Sequence, residues 1–102
     1  MRKIKVNLGA RSYNILIGKG ILKDLGRQLQ KLSLGTDAYI ITNAWLKNKY
    51  GAILRKALSK GKFNAHFKVV ADSEKSKSLE TANLVLKDLA KFDQQKKVFI
   101  IA

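Results

Sequence analysis

Asp37-Ala38-Tyr39-Ile40-Ile41-Thr42-Asn43 is the stretch that decides the fold. Its centre is a short apolar run with β-rich composition, bounded by Asp37 on one side and Thr42-Asn43 on the other. Such a strand is apolar on both faces, which is what a parallel sheet covered by helices requires. The flanking segments supply the helices. Upstream, Ile21, Leu22, Leu25, Leu29 and Leu32 fall on one helical face, and Gly35 is placed to end that helix. Downstream, Leu46, Tyr50, Ile53, Leu54, Ala57 and Leu58 form a second stripe closed by Gly61. Phe63, Ala65 and Phe67 then alternate before Val69-Val70, giving another strand. Leu79, Ala82, Val85, Leu86 and Leu89 mark a third helix running to about Lys91, and Val98-Phe99-Ile100-Ile101 is a last buried strand.

The first 18 residues read differently. Ile4, Val6 and Leu8 alternate with Lys3, Lys5 and Asn7, the period-2 pattern of a half-buried strand. Gly9-Ala10 supplies a turn and Ser12 to Ile17 a second strand, which together make a β-hairpin. A hairpin over 1–18 followed by α-β-α-β-α-β over 19–102 predicts an α/β fold. The expected architecture is a Rossmann-like three-layer half-domain with a parallel sheet and right-handed crossovers, preceded by an N-terminal β-hairpin. No internal repeat, linker or low-complexity tract interrupts it.

Composition narrows the class. A length of 102 residues suits one domain near the low end for a well-buried core, and a 46% hydrophobic share excludes a disordered chain. No apolar run approaches the roughly 20 residues needed to span a bilayer. The opening Met1-Arg2-Lys3-Ile4-Lys5 has no secretory apolar region. The absence of cysteine excludes disulfides, thiolate metal sites and cysteine nucleophiles. A soluble cytoplasmic protein, without membrane association, is expected.

The net charge of +14 is uneven. Residues 1–68 carry 15 basic residues against Asp24 and Asp37, a balance of +13, whereas residues 69–102 carry 6 against 5. Such a field attracts anions, nucleic acid first among them. Yet Arg2, Arg11, Arg27 and Arg55 are the only arginines, and the 17 lysines are scattered over several elements. Base-edge and bidentate phosphate recognition favours arginine, so a solvated lysine-rich surface is the preferred reading over a nucleic-acid site.

In parallel α/β sheets ligands bind beyond the carboxyl ends of the strands. Here those loops are Thr42 to Ala44, Ala71 to Ser78, and whatever follows Ala102. The segment Ala71-Asp72-Ser73-Glu74-Lys75-Ser76-Lys77-Ser78 is the one dense polar loop between two apolar elements, and it leads into a helix N-terminus, where anions are favoured. Glu74 is suited to accept hydrogen bonds from ribose hydroxyls and Lys77 to offer a point charge. Ser76 or Ser78 is placed to cap the helix, with Glu80 in its first turn. On local sequence alone, a capped and solvated βα loop is the favoured account. His66, the single histidine, reads as a surface or half-buried strand residue with no second His or Cys for a metal site. Trp45 could stack on an adenine, although packing under a loop is the favoured role. No Ser-His-Asp set can be assembled from one histidine, so no catalytic residue is assigned.

These residues together resemble the 3-dehydroquinate synthases. The opening Arg2 to Ile17 is similar to that family's first hairpin, with its Leu-Gly-x-Arg-Ser-Tyr stretch at Leu8 to Tyr13. Ile40-Ile41-Thr42-Asn43, followed by Leu46 and Tyr50, is similar to its second βα junction. Asp72-x-Glu74-x-x-Lys77-Ser78-Leu79 resembles its Asp-Gly-Glu-x-x-Lys-Ser-Leu motif. Val98 to Ala102 resembles the strand that leads into its Gly-Gly-Gly-Val-x-Gly-Asp loop. The resemblance covers the whole chain in order and register.

It implies an NAD-dependent lyase of the shikimate pathway, serving aromatic amino acid biosynthesis. The family converts a seven-carbon keto-acid phosphate to 3-dehydroquinate with loss of phosphate, using NAD and a divalent metal such as zinc or cobalt. By position, Asn43, Asp72, Ser73, Glu74, Lys75, Ser76 and Lys77 would line the adenosine end of NAD, with Glu74 and Lys77 as main contacts. The glycine-rich loop, the metal ligands and the substrate-binding residues belong to later parts of the family's chain. The resemblance therefore implies that 1–102 is a single truncated nucleotide-binding domain, inactive alone, whose partners are a small-molecule nucleotide and the missing C-terminal domain. Sheet edges left uncovered by truncation would also favour a homo-oligomer. The chain departs from the family at Ala71 and Asn48, where prolines are usual, and at Ser73, where glycine can take positive φ. A basic nucleic-acid-binding module, a related sugar-phosphate cyclase and a scaffold piece remain the competing readings.

Overall fold

The computed structural model describes residues 2–71, 77–93 and 97–102. Strands β1 (Arg2–Val6) and β2 (Tyr13–Ile17) pair antiparallel with Ile4 opposite Ile15. A single 3-10 turn over Ile21–Asp24 leads into α1 (Leu25–Gln30). Then come β3 (Asp37–Thr42), α2 (Ala44–Lys60), β4 (Asn64–Val69), α3 (Leu79–Phe92) and β5 (Val98–Ile101). The three later strands form one parallel sheet in the order β4-β3-β5, separate from the hairpin.

The central position of β3 explains its composition. Ala38 stands beside Ala65 and Phe99, and Ile40 beside Phe67 and Ile101, so these residues share one face. Tyr39 stands beside His66 and Ile100 on the opposite face. The first face meets α1 and α2: Ala38, Ile40, Phe99 and the fully buried Leu58 of α2 make the core, with Leu25, Leu29, Leu54 and Phe63 packed against it. Phe63 and Phe99 meet edge to face with centroids 5.4 Å apart, the arrangement that ring quadrupoles favour. The second face meets α3. Helices on both faces of a parallel sheet are the three layers expected.

Three expectations change in detail. The helix predicted over Ile21–Leu32 is a 3-10 turn and a six-residue α-helix, and Leu32 is 61% exposed. Gly35 does not cap it. At φ 151° it lies against the backbone of Lys97, whose carbonyl accepts from the amides of Thr36 and Asp37. The glycine is thus needed where the chain turns into the sheet beside β5. The hairpin is also less buried than its alternation implies: Ile4, Tyr13, Ile15 and Ile17 are exposed, and only Val6 and Leu16 are partly covered. Among the described residues no helix layer covers this two-stranded ribbon, so little apolar surface is there to bury them. Leu8 and Ser12 fall in the connecting loop, where the Ser12 hydroxyl accepts from the Leu8 amide at 2.8 Å.

Gly61 does close α2, its amide donating to carbonyls of the last turn. Among the described residues no helix is long and apolar enough to cross a membrane.

Candidate functional site

Both helices that start at the carboxyl edge of the sheet are capped by their own side chains. Asn43 Oδ1 accepts from the Leu46 amide at 2.8 Å and opens α2 immediately after β3. Ser78 Oγ accepts from the Thr81 amide at 3.2 Å and opens α3, with Glu80 in its first turn. Each cap satisfies an amide that the helix cannot, and the carboxylate of Glu80 complements the helix dipole.

Between α3 and the strand ends lies a groove of about 690 Å³. Ile41 and Val70 contribute from the sheet side, Leu79, Ala82 and Leu86 from α3, and Lys77 and Ser78 from the polar end. An apolar slot with a charged and hydroxylated end suits a ligand that is flat and apolar over one part and polar over another.

This groove divides a helical stripe that sequence periodicity treats as one buried face. Val85 and Leu89 are partly buried, as expected. Leu79 at 90% and Leu86 at 62% exposure stand in the groove wall instead. The reason is that α3 is held to the sheet through its C-terminal half. There the hydroxyl of the fully buried Tyr39 donates to Asp88 Oδ2 at 2.8 Å, and His66 Nε2 meets the same oxygen at 3.0 Å. The His66 ring stacks on Tyr39 (centroids 5.4 Å) and on Phe92 (4.9 Å). Burial, reinforced by the neighbouring Asp88, pushes the Tyr39 phenol up to about 12, so it stays a donor at all ordinary pH values. The Tyr39 hydrogen bond, joined by His66 and the positive Lys68, holds the Asp88 carboxyl below the usual range despite partial desolvation.

Of the expected site residues, Lys77 lines the groove and Asn43 lies at the neighbouring helix cap, its oxygen engaged by Leu46. Asn43 is not among the groove-lining residues. Asp72, Ser73, Glu74, Lys75 and Ser76 lie outside the described residues. Ser78 takes the capping role that had been open between it and Ser76 for the described part of the loop. Trp45 corrects an expectation: it does not pack under a loop but is 62% exposed, with the Lys49 ammonium 4.8 Å from its ring centroid. Part of the basic surface is likewise laid over rings, with Arg55 and Lys47 placed against Phe67.

Sequence reasoning missed the Tyr39–Asp88 pair. Two signals were present: a tyrosine in an otherwise aliphatic buried strand, and an aspartate beside Leu89 on the apolar stripe of α3. Among the described residues no three His, Cys, Asp or Glu side chains come together as a metal site.

No protein-family profile matches the chain. It is 38% identical over 82 residues to the 3-dehydroquinate synthase of Pelotomaculum thermopropionicum, covering 80% of this chain and 22% of that protein. It is 33% identical over all 102 residues to the 3-dehydroquinate synthase of Thermodesulfovibrio yellowstonii, or 28% of that protein's length. The fold is also that of part of a solved 2-deoxy-scyllo-inosose synthase, with a TM-score of 0.82 over 99% of this chain and 28% of that one, at 13% identity. The chain thus spans about a quarter of the length of the curated relatives it matches.

Proposed function

We propose that this chain, related by sequence to the 3-dehydroquinate synthases, is the N-terminal nucleotide-binding portion of such an enzyme and holds the adenosine half of NAD. The observation that carries the reading is the alignment with a synthase over all 102 residues, with a groove at the sheet edge where α/β folds take ligands. The described residues fit that half of the cofactor. Ile41, Val70, Ala82 and Leu86 offer apolar surface to a purine, and Lys77 and Ser78 offer polar atoms at one end. Asp72, Ser73, Glu74, Lys75 and Ser76 would line the adenosine end of NAD, Glu74 by accepting from ribose hydroxyls, and Asn43 would approach that end from the neighbouring cap. NAD, when bound, supplies the transient oxidation and reduction in the conversion of a seven-carbon keto-acid phosphate to 3-dehydroquinate. This chain's residues bind and orient the nucleotide, and none is assigned a catalytic role.

The remaining machinery, including zinc or cobalt ligands, the glycine-rich loop and the substrate-binding groups, would come from a C-terminal domain that completes the enzyme. A cytoplasmic location accords with that role. Identities above 30% to synthases favour this reading over another sugar-phosphate cyclase.

The test is an NMR titration of the labelled chain with NAD and with ADP-ribose. Shifts concentrated at Ile41, Val70, Lys77, Ser78, Ala82 and Leu86 are expected from both ligands. A random DNA duplex, at low and moderate salt, is the comparison. Nucleotides that move nothing in the groove, with salt-sensitive DNA shifts over the lysines of residues 1–68, would replace this reading with the basic-module one.

A further inference from the structure

We propose that His66 is a pH-responsive anchor for α3, whose protonation fixes the C-terminal half of the helix to the sheet and so sets the position of the groove wall carried by its N-terminal half. The proposal rests on the shared carboxylate oxygen. Asp88 Oδ2 receives one hydrogen from Tyr39, which has no competing protonation state at ordinary pH. Its second contact comes from His66 Nε2 at 3.0 Å. A neutral imidazole occupies two tautomers, and only the one with hydrogen on Nε2 can donate there. The other turns a lone pair toward the carboxylate. The ionised Asp88 selects the neutral tautomer that donates; the imidazolium carries that hydrogen in every form and adds an ion pair, so protonation strengthens the contact.

The ring and charged groups around His66 come from three elements. His66 stacks on Tyr39 at 5.4 Å and on Phe92 at 4.9 Å, and Tyr39 and Phe92 are themselves 6.1 Å apart, so the three rings form one cluster. Asp88 from α3 is the carboxylate in contact, and Tyr39 from β3 faces it with a neutral phenol. Lys68, two residues along β4, opposes a second positive charge while helping to keep Asp88 ionised. Lys87 and Lys91 of α3 are exposed, and Asp93, partly buried, follows Phe92 at the helix end. Helices α1 and α2 lie on the other face of the sheet.

The lever is the helix itself. Leu79 precedes Asp88 by nine residues, or roughly 14 Å of helix, so a small change of tilt at the anchor moves the groove wall appreciably. Leu79, Ala82 and Leu86 are exposed and do not pin that end. The device is independent of what fills the groove.

The experiment is a nucleotide-free NMR titration of the whole chain from pH 5 to 8.5. His66 is the single histidine, so its Cε1 signal is unique. The backbone amides of Leu79, Ala82 and Leu86 are expected to shift with the same midpoint as that signal, and His66→Gln is expected to abolish their transition. Amides that stay flat while His66 titrates would overturn the proposal, as would a transition that survives in His66→Gln. The wild-type titration decides the matter even if the variant does not fold. Because no nucleotide is present, failure here leaves the nucleotide reading standing, and the converse holds.

Discussion

Gly26 of α1 meets Ala57 of α2 backbone to backbone, so close that a methyl on Gly26 would run into the Ala57 carbonyl oxygen. Gly61, the residue that closes α2, approaches too: a Cβ there would meet the Phe63 ring at 2.8 Å and the Gly26 Cα at 3.0 Å. The contact lets the short α1 lie flat on α2, where Leu25 and Leu29 reach the core and Gln30 donates to the Gly61 carbonyl at 3.0 Å.

Gly26→Ala is therefore expected to destabilise the chain by about 1–3 kcal/mol, since the obstruction is backbone and cannot turn away. Gly51→Ala, in the middle of α2, meets nothing nearer than the Lys47 side chain at 3.4 Å. It should stabilise by about 0.5–1 kcal/mol through the lower entropy of the unfolded chain and better helix propensity. Urea denaturation of both variants checks the opposed signs.

Leu58 is fully buried where α2 meets the sheet. Leu58→Ala should cost about 2–5 kcal/mol, a large share of the total for a domain of this size. A fall in the urea midpoint at unchanged slope is the expected result, and a shift no larger than that of an exposed leucine such as Leu84 would contradict the assigned core.

Removing the Tyr39 hydroxyl tests the α3 anchor from the other side. Tyr39→Phe leaves the ring stack but takes a hydrogen bond from a carboxylate, at a cost of about 1–2 kcal/mol near neutral pH. The pH dependence has a definite sign. The folded Asp88 titrates below its ordinary value, so its contribution is present above about pH 4 and disappears as acid protonates it. The wild type and Tyr39→Phe should accordingly converge in stability as pH falls through that region, which chemical denaturation at several pH values measures.

Ala82 is an exposed groove residue, so a bulky replacement fills the slot without entering the core. Ala82→Trp should leave the urea midpoint nearly unchanged and reduce ADP-ribose shifts at Ile41, Val70 and Leu86 at least tenfold at equal ligand. Undiminished shifts would place nucleotide binding elsewhere.

Trp45→Ala is expected to change stability by less than about 0.5 kcal/mol, the usual range for an exposed side chain whose contact is a solvated cation–π pair. A cost of several kcal/mol would mean that the indole packs against something in solution.

Much of this architecture is legible in the sequence. The both-faced strand Ala38 to Ile41, the stripe from Leu46 to Leu58 and the closing Gly61 read correctly because each signal is carried by residues within one or two turns. The stripe beginning at Ile21 read too long, since Leu32 keeps helical spacing although the helix ends at Gln30. Gly35 read as a cap because its partner, the Lys97 backbone, is 62 residues away in the chain and leaves no local trace. The loop motif around Asp72 to Lys77 was legible only as resemblance, and the groove beside it was not legible at all.

What the sequence by itself determined is the identity and order of the elements, because hydrophobic periodicity and capping are local properties that a helix or strand must satisfy wherever it lies. The tertiary structure alone decided which part of each apolar surface is covered. On α3, Val85 and Leu89 are partly buried while Leu79 and Leu86 stand exposed along the groove, and that division is set by the attachment of Asp88 to Tyr39 and His66. Those partners stand 49 and 22 residues away, on neighbouring strands whose register brings them side by side. Register is a long-range outcome of packing, and no periodicity within a single element encodes it.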